Sequence, residues 1–244
     1  MGMNIEKLID EITDQVYARI QADTAFAVSG DAACLENLAP QADLMIADPA
    51  DGEIRILQLC GDAAELGFGA VCVNSSYTGT AAGALKGTGV KVCTLAGYPS
   101  GAASLTAKAA ETLEAVRSGA EEIELVVNPG AVRSHDWRAV RDEIGAAVRV
   151  ATGRAKVKAV IGTADMSPEE LVKAAVAAEV AGASMVVIQA EPEDCEAVAG
   201  ALALVKQAVG PETGIKICGI TDVRIAAQLL SAGACRIGIC KKEK

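Results

Sequence analysis

GAEEIELVVN, residues 119–128, decides the fold because it joins the end of a helix directly to an apolar strand. A helical pattern precedes Gly119, and glycine readily ends a helix in the left-handed conformation. The run that follows is rich in the branched residues typical of strands. The same order of glycine, alanine and apolar run recurs along the chain, at GFGAVCVN (67–74), GASMVVIQA (182–190) and GACRIGIC (233–240). The repetition predicts alternating helices and strands.

Four more strand-like runs lie between these repeats, which makes eight in all. They are LMIA (44–47), KVCTLAG (91–97), KVKAVIG (156–162) and GIKICG (214–219). Eight alternating units without a break in composition predict an α/β fold, a closed (β/α)8 barrel of the TIM type. We expect this barrel over residues 41–244, after a linker at 22–40 and an amphipathic helix at 1–21. In such a barrel the chemistry lies where the strands end.

The composition and net charge of the chain argue against several classes of partner and site. The chain is 51% hydrophobic and carries a net charge of −10 with scattered basic residues, which argues against nucleic acid as a partner. No apolar run approaches a membrane span and the N-terminus lacks a signal-peptide pattern, so we expect a cytoplasmic protein without a membrane partner. The eight cysteines form no CxxC pair, which favours reduced core thiols over a metal site. We expect no cofactor, no bound metal and a homo-oligomeric assembly.

Several blocks carry a resemblance to a known family. They are AVCVNSSY (70–77), KVCTLAGYPSGA (91–102), EIELVVNPGAV (122–132), VKAVIGT (157–163) and AGASMVV (181–187). In their order and spacing they resemble the deoxyribose-phosphate aldolases, and GIKICG and AGACRIGIC continue the series. The resemblance spans roughly residues 40–240. It implies a class I aldolase barrel, in which a lysine on the sixth strand forms a Schiff base with an aldehyde.

Carried over by position, the family's catalytic residues match only in part. The family's second lysine, on the seventh strand, is matched by Lys216, and the barrel cysteine by Cys93. The fourth-strand aspartate is matched by Glu124. The Schiff-base lysine itself falls on Val187, and valine has no nitrogen with which to form an imine. The resemblance therefore implies a carbon–carbon lyase fold that lacks its usual nucleophile.

The phosphate-binding loops implied by the resemblance are altered as well. After the sixth strand the chain reads Glu-Pro-Glu-Asp (191–194), and these carboxylates would repel a phosphate. ADLMIA (42–47) on the first strand is without the family's polar groups, and the closing helix that the resemblance implies is not expected before Lys244. We expect a small aldehyde or sugar-like ligand at the strand ends, bound by Asn74, Gln189, Gly219, Gly238 and Lys241.

Three functions remain open on the sequence. The first is a degenerate aldolase-like protein that binds a ligand or partner. The second is an active lyase that uses Lys216 as the Schiff-base amine, and the third is another enzyme that uses Glu124 and Cys93 for proton transfer. We expect Lys216 to be the one lysine inside the barrel at the catalytic end, with Lys91, Lys156 and Lys158 near strand starts. An ion pair between Lys216 and Glu124 would quench the amine.

The N-terminal stretch MNIEKLIDEITDQVYARIQ (3–21) predicts an amphipathic helix. Its apolar stripe comprises Ile5, Leu8, Ile9, Ile12, Val16 and Ile20. Such a helix resembles the encapsulation peptides that direct enzymes into bacterial microcompartments, which implies a shell or cargo protein as partner and the microcompartment lumen as location. The alternative is that the stripe packs on its own barrel.

Overall fold

The strands close into a single parallel barrel. A computed structural model describes residues 37–162, 166–189 and 195–240. Within these ranges the strands neighbour one another in chain order, and the last strand pairs with the first. They are β1 (Ala42–Met45), β2 (Ala70–Val73), β3 (Lys91–Ala96), β4 (Glu122–Val126), β5 (Lys156–Gly162), β6 (Met185–Gln189), β7 (Gly214–Ile220) and β8 (Arg236–Cys240). The predicted (β/α)8 barrel is confirmed.

Helices connect the strands around the outside. They are α1 (Glu53–Leu66), α2 (Thr78–Ala84), α3 (Leu105–Arg117), α4 (Pro129–Arg133), α5 (Trp137–Ala151), α6 (Pro168–Val180), α7 (Cys195–Ala208) and α8 (Val223–Ala232). Short 3-10 turns, Ala39–Gln41 and Ser75–Tyr77, precede β1 and follow β2. In the described part of the chain, no helix is both long and apolar enough to cross a membrane.

Local signals in the sequence set the helix ends. The glycines of the four repeats adopt positive φ where helices end, at Gly67 (72°), Gly119 (103°), Gly182 (90°) and Gly233 (117°). At the other end of a helix, Ser167 caps α6, and its hydroxyl accepts a hydrogen bond from the backbone N–H of Glu170. The Glu170 carboxylate accepts the Ser167 N–H in return, so two unpaired donors of the first turn are satisfied.

The barrel wall has one apolar layer on its outside and another on its inside. The large outer layer fills the space between strands and helices. The small inner layer lies inside the barrel and comprises Met45, Ala70, Cys72, Cys93, Leu95, Val187 and Cys218. Side chains on a strand alternate between the two layers, so every second residue of a strand is available to a site on the barrel axis.

The first strand begins two residues before its predicted start. Ala42 pairs with Ile237 of β8, and the strand ends at Met45. The turn at Ala39–Gln41 delivers the chain straight into this pairing, a tertiary contact that local sequence does not reveal. Residues 3–21, most of the predicted linker, Lys241 and any closing helix lie outside the described residues.

Candidate active site

The barrel interior holds a buried network of six charged side chains. Three are carboxylates and three are cations, and all but one are at most 2% exposed. The members are Asp43, Glu122, Glu124, Lys158, Lys216 and Arg236. They lie on inward-facing positions of β1, β4, β5, β7 and β8.

Lys216 is held between two carboxylates. Its Nζ donates to Asp43 Oδ2 and to Glu124 Oε1, each at 2.5 Å. The side chain is fully buried. Burial alone would lower the pKa of the Lys216 amine, but the negative charges of Asp43 and Glu124 outweigh it and hold the pKa well above its ordinary value. The amine is therefore a protonated ion-pair partner in this arrangement.

Lys158 is the second buried lysine and shares these partners. Its Nζ lies 3.0 Å from Asp43 Oδ2 and 3.4 Å from Glu124 Oε1, and it also pairs with Glu122 at 2.5 Å. As with Lys216, desolvation would lower its pKa, and the facing carboxylates raise it well above the ordinary value. The prediction that Lys158 lies at a strand start away from the site is wrong: it is the third residue of β5, as Lys216 is of β7.

Asp43 links the two lysines. Oδ2 accepts from both amines, and Arg236 Nη1 faces Oδ1 at 3.1 Å without the alignment of a hydrogen bond. Desolvation would raise the pKa of Asp43, yet the three cations hold it well below its usual range. The expectation that the first strand lacks polar groups is therefore wrong, because Asp43 occupies the centre of the site.

The network is balanced in charge and divided between the two halves of the barrel. The carboxylates come from β1 and β4, and the cations from β5, β7 and β8. Three negative and three positive groups sum to zero, so no buried charge is left without a counterpart. A neutral network, in which each charge has an opposite charge within 4 Å, makes the burial of six charged groups tolerable.

Cysteine thiols contact the carboxylate of Glu124. Cys93 Sγ donates to Glu124 Oε1 at 3.6 Å, and Cys218 Sγ to Oε2 at 3.9 Å. The ligand atoms of Cys72, Cys93 and Glu124 lie within 4.8 Å of one another, which is a spacing that could hold a metal ion. A hydrogen bond to Cys93 and burial raise the pKa of Cys72, and burial raises that of Cys218, so these two thiols are disfavoured as thiolates.

Val187 lies beside Lys216 in the barrel wall. The two residues are paired in register between β6 and β7, and Val187 is fully buried in the inner apolar layer. Its neighbour on the other side is Val160 of β5. The position at which the family resemblance places an amine is thus occupied by a packed hydrocarbon side chain.

The residues predicted to bind a ligand lie on several different strands and loops of the barrel. Asn74 follows β2 and its side-chain amide donates to the Asp48 carbonyl at 3.1 Å, while Gln189 is exposed at the end of β6. Gly219 has a φ of 87° in β7. Gly238 packs closely, because a Cβ there would lie 2.5 Å from Met45 Sδ and 2.7 Å from Cys218 Sγ.

A cavity of about 140 Å³ lies near the carboxyl ends of β4 and β5, away from the barrel axis. Its lining includes Val127 and Ile161, which belong to the outer apolar layer, and Arg133 of α4. The charged network does not line this cavity. A ligand bound there would not contact Lys216.

The relatives of this chain agree with the fold. It is 39% identical over 210 residues to a deoxyribose-phosphate aldolase of Geobacillus sp. (strain WCH70), covering 83% of this chain and 91% of the relative. The chain belongs to the deoxyribose-phosphate aldolase family. A second member of the family, from Clostridium perfringens (strain 13 / Type A), is 36% identical over 211 residues, with the same coverage.

Solved structures of aldolases have the same architecture. QR15, an aldolase, superimposes with a TM-score of 0.76 at 28% identity, covering 83% of this chain and 91% of QR15. The tetrameric deoxyribose phosphate aldolase of Aeropyrum pernix gives 0.73 at 25% identity, covering 83% and 86%. No family model matches the chain.

Proposed function

We propose that this member of the deoxyribose-phosphate aldolase family does not carry out Schiff-base aldol cleavage and acts as a binding protein. One observation carries the proposal: Val187 stands where the Schiff-base amine is expected, and Lys216 is buried between Asp43 and Glu124. An imine forms only from a neutral amine that can reach the carbonyl. Lys216 meets neither condition, because its raised pKa keeps the amine protonated and the side chain is buried between two carboxylates.

Deprotonation of Lys216 would disturb the whole network. Loss of its positive charge would leave Asp43 with Lys158 and Arg236 and Glu124 with Lys158, so that three carboxylates of the network face two of its cations. Uncompensated buried charge is strongly destabilising. The alternative function, an active lyase that uses Lys216, requires this unfavourable state as its starting point.

The pairing of the buried charges also affects which charge the ligand can carry. All three cations of the network are already paired, so none of them offers free positive charge to a phosphate dianion. We therefore expect an uncharged aldehyde or sugar-like ligand, with Asn74, Gln189, Gly219, Gly238 and Lys241 as the candidate contacts. Glu124 and Cys93, 3.6 Å apart, are the groups that could move a proton on such a ligand.

Reductive trapping tests the proposal directly. The protein is incubated with acetaldehyde and borohydride, digested and mapped by mass spectrometry, with Lys216→Met as the matched control and the Geobacillus relative as the positive control. Surface lysines report non-specific alkylation. We expect no adduct on the peptides that contain Lys158 or Lys216. An adduct on Lys216 that forms as readily as in the relative would overturn the proposal.

The assembly and location of the protein belong to the same proposal. We expect a cytoplasmic homo-oligomer; the Aeropyrum relative is described as tetrameric. Light scattering on the purified chain measures the oligomeric state. Association with a microcompartment through residues 3–21 remains a prediction, and it competes with the alternative that this segment packs on its own barrel.

A further inference from the structure

One side of the barrel has an apolar seam between its last and first strands. The β8–β1 seam comprises the outward side chains of β8, β1 and the residue after β1. Each is at most 5% exposed and belongs to the outer apolar layer. The seam residues are Ala42, Leu44, Ile46, Ile237 and Ile239.

Elsewhere in this barrel, helices cover the outer faces of the strands, as this fold requires. Among the described helices, α8 packs on β7 and β8, and α1 packs on β2. None of them packs extensively on β1. The described helices therefore account for the cover of β2, β7 and β8 better than for that of β1.

An amphipathic helix, with one apolar and one charged face, is suited to cover such a seam. The stretch before Asn37 has 36 residues, and the apolar stripe predicted in it lies within residues 3–21.

We propose that residues 3–21 cover the β8–β1 seam of their own barrel as an amphipathic helix. A helix of this length extends about 28 Å, which exceeds the length of the strands it would cover. Residues 22–36 can span up to about 50 Å when extended, so the connection to β1 permits either orientation on the seam. The apolar stripe supplies six branched or aliphatic side chains to meet the five of the seam.

A pair of matched charge insertions in the full chain tests this docking. Ile12→Glu places a carboxylate in the stripe, whereas Ala18→Glu places the same group on the face shared with Glu11 and Asp14. A buried, unpaired carboxylate is costly, so we expect Ile12→Glu to lower the Tm by about 5–15 °C. Ala18→Glu should leave the Tm within about 2 °C of the parent. Equal Tm values for parent and Ile12→Glu would overturn the proposal.

Photo-crosslinking keeps the test decisive if Ile12→Glu does not fold. The photoreactive residue benzoylphenylalanine replaces Ile12 in one sample and Ala18 in the other. We expect crosslinks from position 12 to the same chain, on peptides of α8, β8, β1 or α1, and few from position 18. Crosslinks from position 12 to a second copy, or to an added microcompartment shell protein, would show a different occupant. Either result, or none at the seam, would overturn the proposal.

Discussion

Removal of the Lys216 charge should destabilise the barrel strongly. Lys216→Met keeps most of the side-chain volume and deletes the cation between Asp43 and Glu124. Breaking a fully buried ion pair from one side typically costs about 3–5 kcal/mol. Asp43 keeps Lys158 and Arg236, and Glu124 keeps Lys158 at 3.4 Å, so the lower end of this range applies. For a chain of this size, about 3 kcal/mol corresponds to a fall in Tm of about 6–12 °C.

Urea unfolding followed by circular dichroism measures this free energy. The matched control is Lys173→Met, the same substitution in an exposed helical pair with Glu169, which should leave the midpoint unchanged. The double variant Lys216→Met/Glu124→Gln should recover part of the loss, because it restores the balance between buried charges. If Lys216→Met is as stable as the parent, Lys216 is not an essential partner of the network and the reasoning on its protonation fails.

Three further outcomes are expected. Val187→Lys should form a borohydride-trapped acetaldehyde adduct on the β6 peptide, whereas Val187→Met should form none; absence of the adduct would mean that aldehydes do not reach this position. Asp43 has a lowered pKa, so its stabilising effect is complete above the unfolded pKa of about 3.9 and is lost as pH falls towards the folded value. Urea unfolding between pH 5 and 2 should therefore be less pH-dependent for Asp43→Asn than for the parent, and equal slopes would contradict this. Gly238→Ala should lose about 1–3 kcal/mol through overpacking, while Gly162→Ala, where a Cβ meets nothing within 4 Å, should cost less in the same unfolding assay.

Much of the architecture is readable from local sequence. Glycines such as Gly119 and Gly233 end helices with positive φ because alanine would resist that conformation, and the strand follows at once. Ser167, as the N-cap residue, indicates where α6 begins. These signals depend on neighbouring residues only, so the order of the elements could be predicted without the tertiary structure.

The site was harder to predict because its residues are distant in sequence. Asp43 and Lys216 are 173 positions apart and Asp43 and Lys158 are 115 apart. Nothing local marks Lys158 as buried, since it alternates with apolar residues as an exposed strand lysine would. The register of β4 and β5, which pairs Glu124 with Lys158, is what identifies it. A search for inward positions at equal height on neighbouring strands would have found the lysine.

The division of buried charge between the two halves of the barrel bears on how the chain folds during synthesis. The ribosome delivers Asp43, Glu122 and Glu124 first, with Lys91, which lies 3.3 Å from Glu122, and the three buried cations of the network emerge later. Until β5, β7 and β8 arrive, a nascent half-barrel cannot close around three carboxylates without a heavy electrostatic penalty. The first half should therefore stay open and hydrated, and the late cations would draw the two halves together.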